Sequence, residues 1–383
     1  MVVFDTIWML AGYVVPFVAV LSTVVFVHEL GHFVVGRWCG VKIDAFSLGI
    51  GPEIFGFDDR RGTHWRLALF PVGGYVKFHG DANGASVPDV EGAAAMPAAE
   101  QALTLQGQRV GNRAAIVAAG PIANFLLAIA IFSSLYYFNG EQVLQPRVAS
   151  VVEGSAAEQA GFKAGDFVLA IDGRGVTSFK DMSNAIITSP DVALAFEVER
   201  AGTKLTIVAA PKSRVEDTNI GRQRFGQLGL RGSQDPADLR QVEYNPAEAL
   251  ARGLRETWFW VDNTGTSIKR LVTGKASADQ ISGPIQIARV SGEIAKVSIG
   301  GLITLIAILS VSIGLLNLLP VPMLDGGHLM FYAYEALRGR PMNERVQEIG
   351  FRFGIAAVAA LMLFAVSNDL FNIVRDMKIF GIG

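Results

Sequence analysis

The amino-acid sequence predicts a polytopic α-helical membrane protein with four transmembrane helices, a small membrane-associated β-sheet and an inserted α+β domain. Three observations carry this reading. The 383 residues are 51% hydrophobic and only 18% charged, with a mean hydropathy of +0.37, too apolar for an ordinary soluble chain. Four stretches are long and apolar enough to cross a bilayer. Between the second and third lie about ninety residues patterned as strand, helix and hairpin, enough for an autonomous small domain. A formal net charge of −2 gives no reason to expect nucleic acid as a partner. The single cysteine, Cys39, excludes an intrachain disulfide and a Cys-based metal cluster, and nothing nearby activates it.

The first predicted span covers residues 1–36, with a run from Ile7 that is free of charged groups up to His28. Asp5 precedes that run and no Lys or Arg does, so the segment reads as retained rather than as a cleaved signal peptide. Its second half holds His28-Glu29-Leu30-Gly31-His32. On a helix, positions four apart share a face, so both imidazoles can present a nitrogen to one metal ion. Glu29, one residue on, is placed to act as a general base toward water. Two satisfied core histidines are the plainer alternative. Three ionisable groups inside a membrane-length segment are costly, however, and such clusters are functional by default.

Residues 37–113 form a loop that is more than a linker. Phe46–Pro52 and Trp65–Phe70 read as short strands, and Gly73-Gly74 supplies a turn before Tyr75–Phe78. A small β-sheet set against the membrane near the metal is expected. Residues 81–108 are rich in Ala, Gly, Pro and polar side chains and are expected to be mobile. His64 and His79 lack ligand spacing to any partner and read as structural. The second span, residues 114–140, is bracketed by Arg113 and Glu141 and contains Gly120-Pro121-Ile122-Ala123-Asn124.

Residues 141–232 form the inserted domain. Strands are expected at Val148–Val152, Phe167–Ile171, Val192–Glu199, Lys204–Ala209 and Phe225–Leu230, with helices at Ser155–Ala160 and Phe179–Ile187. Residues 233–296 follow as a helical, amphipathic segment. In it, Leu250, Leu254, Trp258 and Val261 recur at helical spacing, suited either to a membrane surface or to packing on the globular domain. The third span is 297–324, a loop covers 325–352, the fourth span is 353–375 with Asp369 near its end, and 376–383 is a tail.

The loops 37–113 and 325–352 carry clustered Arg and Lys, which orients both toward the cytoplasm and both termini outside. Arg375 and Lys378 in the tail oppose this weakly. One span separates the first from the third, so these two run in the same direction. His28 and Asp325 each fall roughly 30 Å from the start of their span, at the same membrane face. Asp325 is therefore the best third ligand for a zinc site, with a helix cap as its alternative role. Pro320 and Pro322 break the helix just before it, and irregular backbone at membrane depth is tolerated where it lines a cavity. Asn317 and Asn124 each read either as donors to a substrate carbonyl or oxyanion, or as helix–helix hydrogen bonds.

Taken together, His28-Glu29-Leu30-Gly31-His32, Gly120 to Asn124 and Asn317-Leu-Leu-Pro320-Val-Pro322-Met-Leu-Asp325-Gly-Gly327 resemble the site-2 protease family, closest to its bacterial regulator-of-sigma-E protease branch. The resemblance covers nearly the whole chain. It implies that His28, His32 and Asp325 bind Zn2+, that Glu29 activates water, and that the inserted domain is a periplasmic PDZ module. Ser47 to Gly51, with Gly49 and Gly51, resembles the family's membrane-reentrant β-loop. Phe70 to Tyr75, with Gly73 and Gly74, resembles a strand beside the active site. The implied activity is cleavage of single-span membrane proteins such as anti-sigma factors and signal-peptide remnants in the bacterial inner membrane, after trimming by an upstream site-1-type protease. Well-studied members carry tandem PDZ domains, and this chain has room for one, without a clear carboxylate-binding loop. A catalytically silent PDZ scaffold is the rival; Glu29 argues against it, because a structural zinc site needs no general base. A metal transporter would string polar residues through the membrane, which these spans do not.

Overall fold

The structure, a computed structural model, describes residues 2–81, 96–218, 221–233, 235–273 and 283–379. The chain divides into two compact units, one from Met1–Leu135 with Pro246–Gly383, the other Tyr136–Asn245.

The chain opens with α1 (Val2–Trp38), continuous through Pro16 because a lone proline inside an apolar helix sacrifices one hydrogen bond only. Two long strands follow, β1 (Ile43–Asp58) and β2 (His64–Phe78). Both are sharply bent, so each pairs twice. Residues 45–48 lie between 64–67 on one side and 74–77 on the other, while 55–58 pair with the far side of 64–67. The result is a four-ribbon antiparallel sheet whose stretch 74–78 pairs on one side only. Gly49 (φ +92°) and Gly51 (φ +100°) make the bend. A Cβ at Gly49 would sit 2.8 Å from the Phe70 carbonyl oxygen, so the close crossing of the two strands needs glycine there.

One end of this sheet is anchored. Phe46, Val76, Phe78 and Ile43 are buried with Phe33 and Ile116 in one cluster, and Phe46 stacks on Trp65 at 4.4 Å between ring centroids. Each such buried side chain contributes about 1.5–3 kcal/mol. The other end is bare: Ile50, Ile54, Phe55, Phe57, Leu69 and Phe70 are all more than half exposed. The short α2 (Ala98–Gln101) is tied to the sheet by His79, whose Nε2 is 3.0 Å from Glu100 and whose Nδ1 is 3.0 Å from Asp44. His64 similarly bridges Asp58 and Glu53. Of the stretch expected to be mobile, residues 82–95 lie outside the described residues.

Helix α3 (Val110–Asn139) carries the second apolar span. The inserted unit then contributes β3 (Glu141–Leu144), β4 (Val148–Val151), α4 (Ala156–Gln159), β5 (Phe167–Ile171), β6 (Arg174–Gly175) and α5 (Phe179–Ile187). It continues with β7 (Leu194–Arg200), β8 (Thr203–Ala209), β9 (Lys212–Thr218), β10 (Gly221–Gln227), β11 (Leu230–Gly232) and β12 (Leu239–Val242). Its centre is the antiparallel sheet β6-β5-β7-β8, flanked by the pairs β4–β11, β9–β10 and β3–β12. Phe196, Val198, Val168, Met182 and Val148 form its core. Pairing of β12 with β3 draws residues 239–242 into this unit, which therefore runs past the expected boundary at 232. The hairpin β9–β10 was not expected beyond its last residues, because Lys212 to Thr218 carries almost no apolar residue to mark a strand.

Helix α6 (Pro246–Val272) keeps Leu250, Leu254, Trp258 and Phe259 exposed and buries Thr257. Residues 274–282 of the expected helical segment lie outside the described residues. Helix α7 (Pro284–Val297) begins against Asp369, whose carboxylate accepts the N–H groups of Gly283, Ile285 and Gln286 at 2.9–3.0 Å. Asp369, near the end of the fourth span, is buried, because an unpaired helix N-terminus supplies the donors a carboxylate needs. Helix α8 (Ile299–Asn317) ends before the residue 324 expected for the third span, since Pro320 and Pro322 cannot continue it. After two tight turns α9 (Asp325–Arg338) starts afresh, followed by α10 (Glu344–Ile379). Four helical segments are long and apolar enough to cross a membrane: Ala11–Trp38, Val110–Asn139, Ile299–Asn317 and Arg345–Phe371. The chain is a multi-pass membrane protein with small β-sheets.

Candidate metal centre

One face of α1 presents His28 and His32 a turn apart, both buried. The first residue of α9 adds Asp325. His28 Nε2 lies 3.2 Å from His32 Nε2 and 3.2 Å from Asp325 Oδ2, and His32 Nε2 lies 3.6 Å from Asp325 Oδ1. One donor atom from each of the three falls within 4.8 Å of the others, the sole such group of three or more among the described residues. These separations are close to the ~3.3 Å edges of a tetrahedral zinc site.

The surroundings of this cluster fit a cation. His32 Nδ1 is 2.9 Å from the Ile116 carbonyl oxygen, so it carries the proton and Nε2 presents a lone pair. Asp325 Oδ2 is buried without a hydrogen bond. Asn124, fully buried on α3, places its amide nitrogen Nδ2 3.3 Å from His28 Nδ1, while its Oδ1 is buried without a partner. With Oδ1 turned to that nitrogen, Asn124 accepts Nδ1–H and leaves His28 Nε2 bare as well. Two lone pairs and a carboxylate facing one another at 3.2–3.6 Å repel unless positive charge lies between them.

Close backbone approach makes the convergence possible. A Cβ on Gly31 would lie 2.3 Å from the Ala119 carbonyl oxygen, and one on Gly120 would lie 2.3 Å from His32 Nε2 and 2.9 Å from His28 Cε1. Both glycines are where α1 and α3 touch. Arg113 pairs with Glu335 at 2.6 Å and lies over the Tyr332 ring, fastening α3 to α9 and so fixing the approach of Asp325.

The three groups open into a cavity of about 290 Å³ that Glu29, Gly73, Gly74, Asn317, Met323 and His328 also line. Glu29 lines this cavity together with Tyr75 and Val76. A Cβ on Gly74 would meet Ser47 O at 2.8 Å and Glu29 Cγ at 3.1 Å, so the one-sided strand 74–78 runs directly past the carboxylate. Asn317 Nδ2 is 3.4 Å from His28 Nε2. The oxyanion reading of Asn124 fails, because a fully buried amide behind His28 does not reach the cavity. Gly49 and Gly51 likewise line no part of it; they shape the bend in β1 against Phe70. Sequence reasoning passed over His328 and Tyr332. Their spacings of three and seven from Asp325 put them on its helix face, a signal that was available.

The profile of peptidase family M50 matches residues 16–361. The chain is similar to an Agrobacterium fabrum protein described as a "putative zinc metalloprotease", 48% identical over 367 residues that cover 95% of this chain and 97% of the relative. A Rhizobium meliloti protein of the same description is 45% identical, with 94% and 96% covered. The metalloprotease MmpA of Caulobacter vibrioides is 40% identical, with 92% and 93% covered.

Proposed function

Since the chain belongs to peptidase family M50, and is thereby a membrane-embedded zinc metalloprotease, we propose that it hydrolyses peptide bonds within the transmembrane segments of single-span proteins, with His28, His32 and Asp325 holding the zinc. Convergence of these three donors beside Glu29, in a cavity flanked by an unpaired strand, is the observation that carries the reading.

The substrate must first unwind, because a helix hides its carbonyls in hydrogen bonds to the residues four ahead. The free edge of residues 74–78 offers backbone partners to an extended segment, so strand addition binds it and lays it across the cavity. Bound zinc supplies Lewis-acid polarisation of the scissile carbonyl and acidifies water. Glu29, packed against Gly74, takes the water proton on its carboxylate and delivers it to the leaving amine nitrogen. Asn317 points its amide at the same space and donates to the developing oxyanion. Asn124 holds the His28 ring in the tautomer that a metal requires. The bare apolar end of the β1–β2 sheet dips into the lipid.

We assign residues 136–245 as a single PDZ module facing the periplasm, with both termini on that side and the metal toward the cytoplasmic face of a bacterial inner membrane. A groove of about 330 Å³ between α5 and residues 226–231 suits an added peptide strand. Anti-sigma factors and signal-peptide remnants, already trimmed by a site-1-type protease, are the expected substrates. The test is cleavage of a single-span test substrate in liposomes by the zinc-loaded chain and by Glu29→Gln. Equal turnover by the two would overturn the role given to Glu29, and no turnover by either would leave the silent-scaffold reading standing instead.

A further inference from the structure

Between α8 and α9, residues 318–324 must reverse the chain so that Asn317 and Asp325 both face the metal. A β-turn does this: the Leu324 N–H donates to the Val321 carbonyl at 3.0 Å, with Pro322 second and Met323 third. Met323 has φ +101°. Proline followed by a positive φ is the type II arrangement, and its third position takes glycine almost by default, since a side chain there crowds the backbone. A residue held in such a conformation survives only where its surroundings enforce it. Helix α10 does so here: a Cβ on Gly350 would touch the Pro322 ring at 3.4 Å, and one on Gly354 would collide with the Pro322 carbonyl. The turn is thus seated in a glycine notch of the fourth span.

The strained residue is not tucked away. Met323 is 44% exposed, although it is large and apolar, and it lines the same cavity as Gly73 and Gly74. Nothing about the turn calls for that side chain, and the backbone is less comfortable with it. Its purpose lies in what enters the cavity.

We infer that Met323 is a specificity-determining residue, the side chain that contacts a large apolar residue of the substrate flanking the scissile bond. Resting on the protease reading above, this names the chemistry the site selects. A substrate strand laid along residues 74–78 brings alternate side chains toward the cavity, and Met323 meets one of them. An unbranched thioether adapts to leucine, isoleucine or phenylalanine alike, which suits an enzyme that meets many membrane segments. A small or polar residue at that position leaves the thioether unpaired in water and binds less well.

The experiment uses full-length protein in liposomes and single-span substrates that differ only at residues flanking the cleavage site, carrying Leu, Phe, Ala or Ser in turn. The wild type is expected to favour Leu and Phe over Ala by about tenfold in kcat/KM, as one to three kcal/mol of lost apolar contact implies. In Met323→Ala and Met323→Gly this ratio falls to about twofold, through KM more than kcat. Met323→Gly also raises the thermal midpoint, because glycine relieves the positive φ. A ratio unchanged in both variants overturns the inference, as does a lower midpoint for Met323→Gly or loss of all cleavage in both. Should the wild type cleave none of the substrates, the protease reading itself has failed, which is a separate result.

Discussion

Substituting Gly120 by alanine is a direct test of the metal centre, because one methyl group is aimed at both imidazoles. The new Cβ would lie 2.3 Å from His32 Nε2, 2.6 Å from His32 Cε1 and 2.9 Å from His28 Cε1. Backbone cannot yield, since Gly31 already holds α1 against Ala119 at contact distance. The His32 ring must recede by about 1 Å to restore van der Waals separation, and a ligand displaced that far no longer meets the roughly 2 Å distance that zinc requires. It also pulls Nδ1 from the Ile116 carbonyl, 2.9 Å away, which fixes the tautomer. Zinc affinity is therefore expected to fall by at least ~100-fold, about 2.7 kcal/mol, measured by competition with a chromogenic chelator in detergent. Gly111→Ala is the control, on the same helix with nothing within 4 Å of its Cβ, and should bind zinc like the wild type. If Gly120→Ala holds zinc within twofold of wild type, the imidazoles are not the ligands and the site has been misread.

Other consequences can be checked with the same preparations. Glu29→Gln keeps one zinc per chain by elemental analysis, yet lowers turnover of a single-span substrate by at least ~100-fold, the usual span for removing a general base. Asn124→Ala leaves His28 Nδ1 without its buried partner and lowers zinc affinity by roughly 10–100-fold, while Asn124→Asp recovers most of it. In the inserted unit, burial raises the Asp166 carboxyl, but the hydrogen bonds from Arg200 and the Lys163 N–H outweigh it and hold the group below the usual carboxylate range. A lowered folded-state value means this stabilisation is complete above the unfolded pKa of about 4 and disappears as pH falls through the folded value. Protection factors of the β5 and β7 amides, which correct for the intrinsic pH dependence of exchange, should accordingly hold from neutrality to about pH 4 and fall below it. Arg200→Ala, which strands a buried carboxylate at a cost on the order of 3 kcal/mol, should raise exchange at neutral pH and flatten that dependence.

How much of this was legible depends on how far each feature reaches along the chain. The pairing of His28 with His32 is local, and helical periodicity alone places both on one face. Asp325 was reachable because alternating span direction is a topological rule, and the distance from span start to residue is a matter of counting. Asn124 is different. Its partner is decided by how closely α1 and α3 cross, and that depends on Gly31 and Gly120 fitting together, which no periodicity reveals. The double pairing of β1 and β2 was hidden for a related reason: strands at Phe46 and Trp65 were readable, but register at a bend is set by two glycines at positive φ. Asp369 looked like a span terminus because its binding partners, the N–H groups that open α7, lie far away in sequence. Met323 gave no signal, since only its backbone angle sets it apart.

The nucleophile-activating machinery of this chain comes from its two ends. His28, Glu29 and His32 are made early in translation, whereas Asp325 is among the last parts of the site to leave the ribosome. A nascent chain paused anywhere before the third span has inserted holds two imidazoles and no third donor. The three donors of the cluster can therefore meet only once the turn from Val321 to Leu324 has formed against Gly350 and Gly354 of α10.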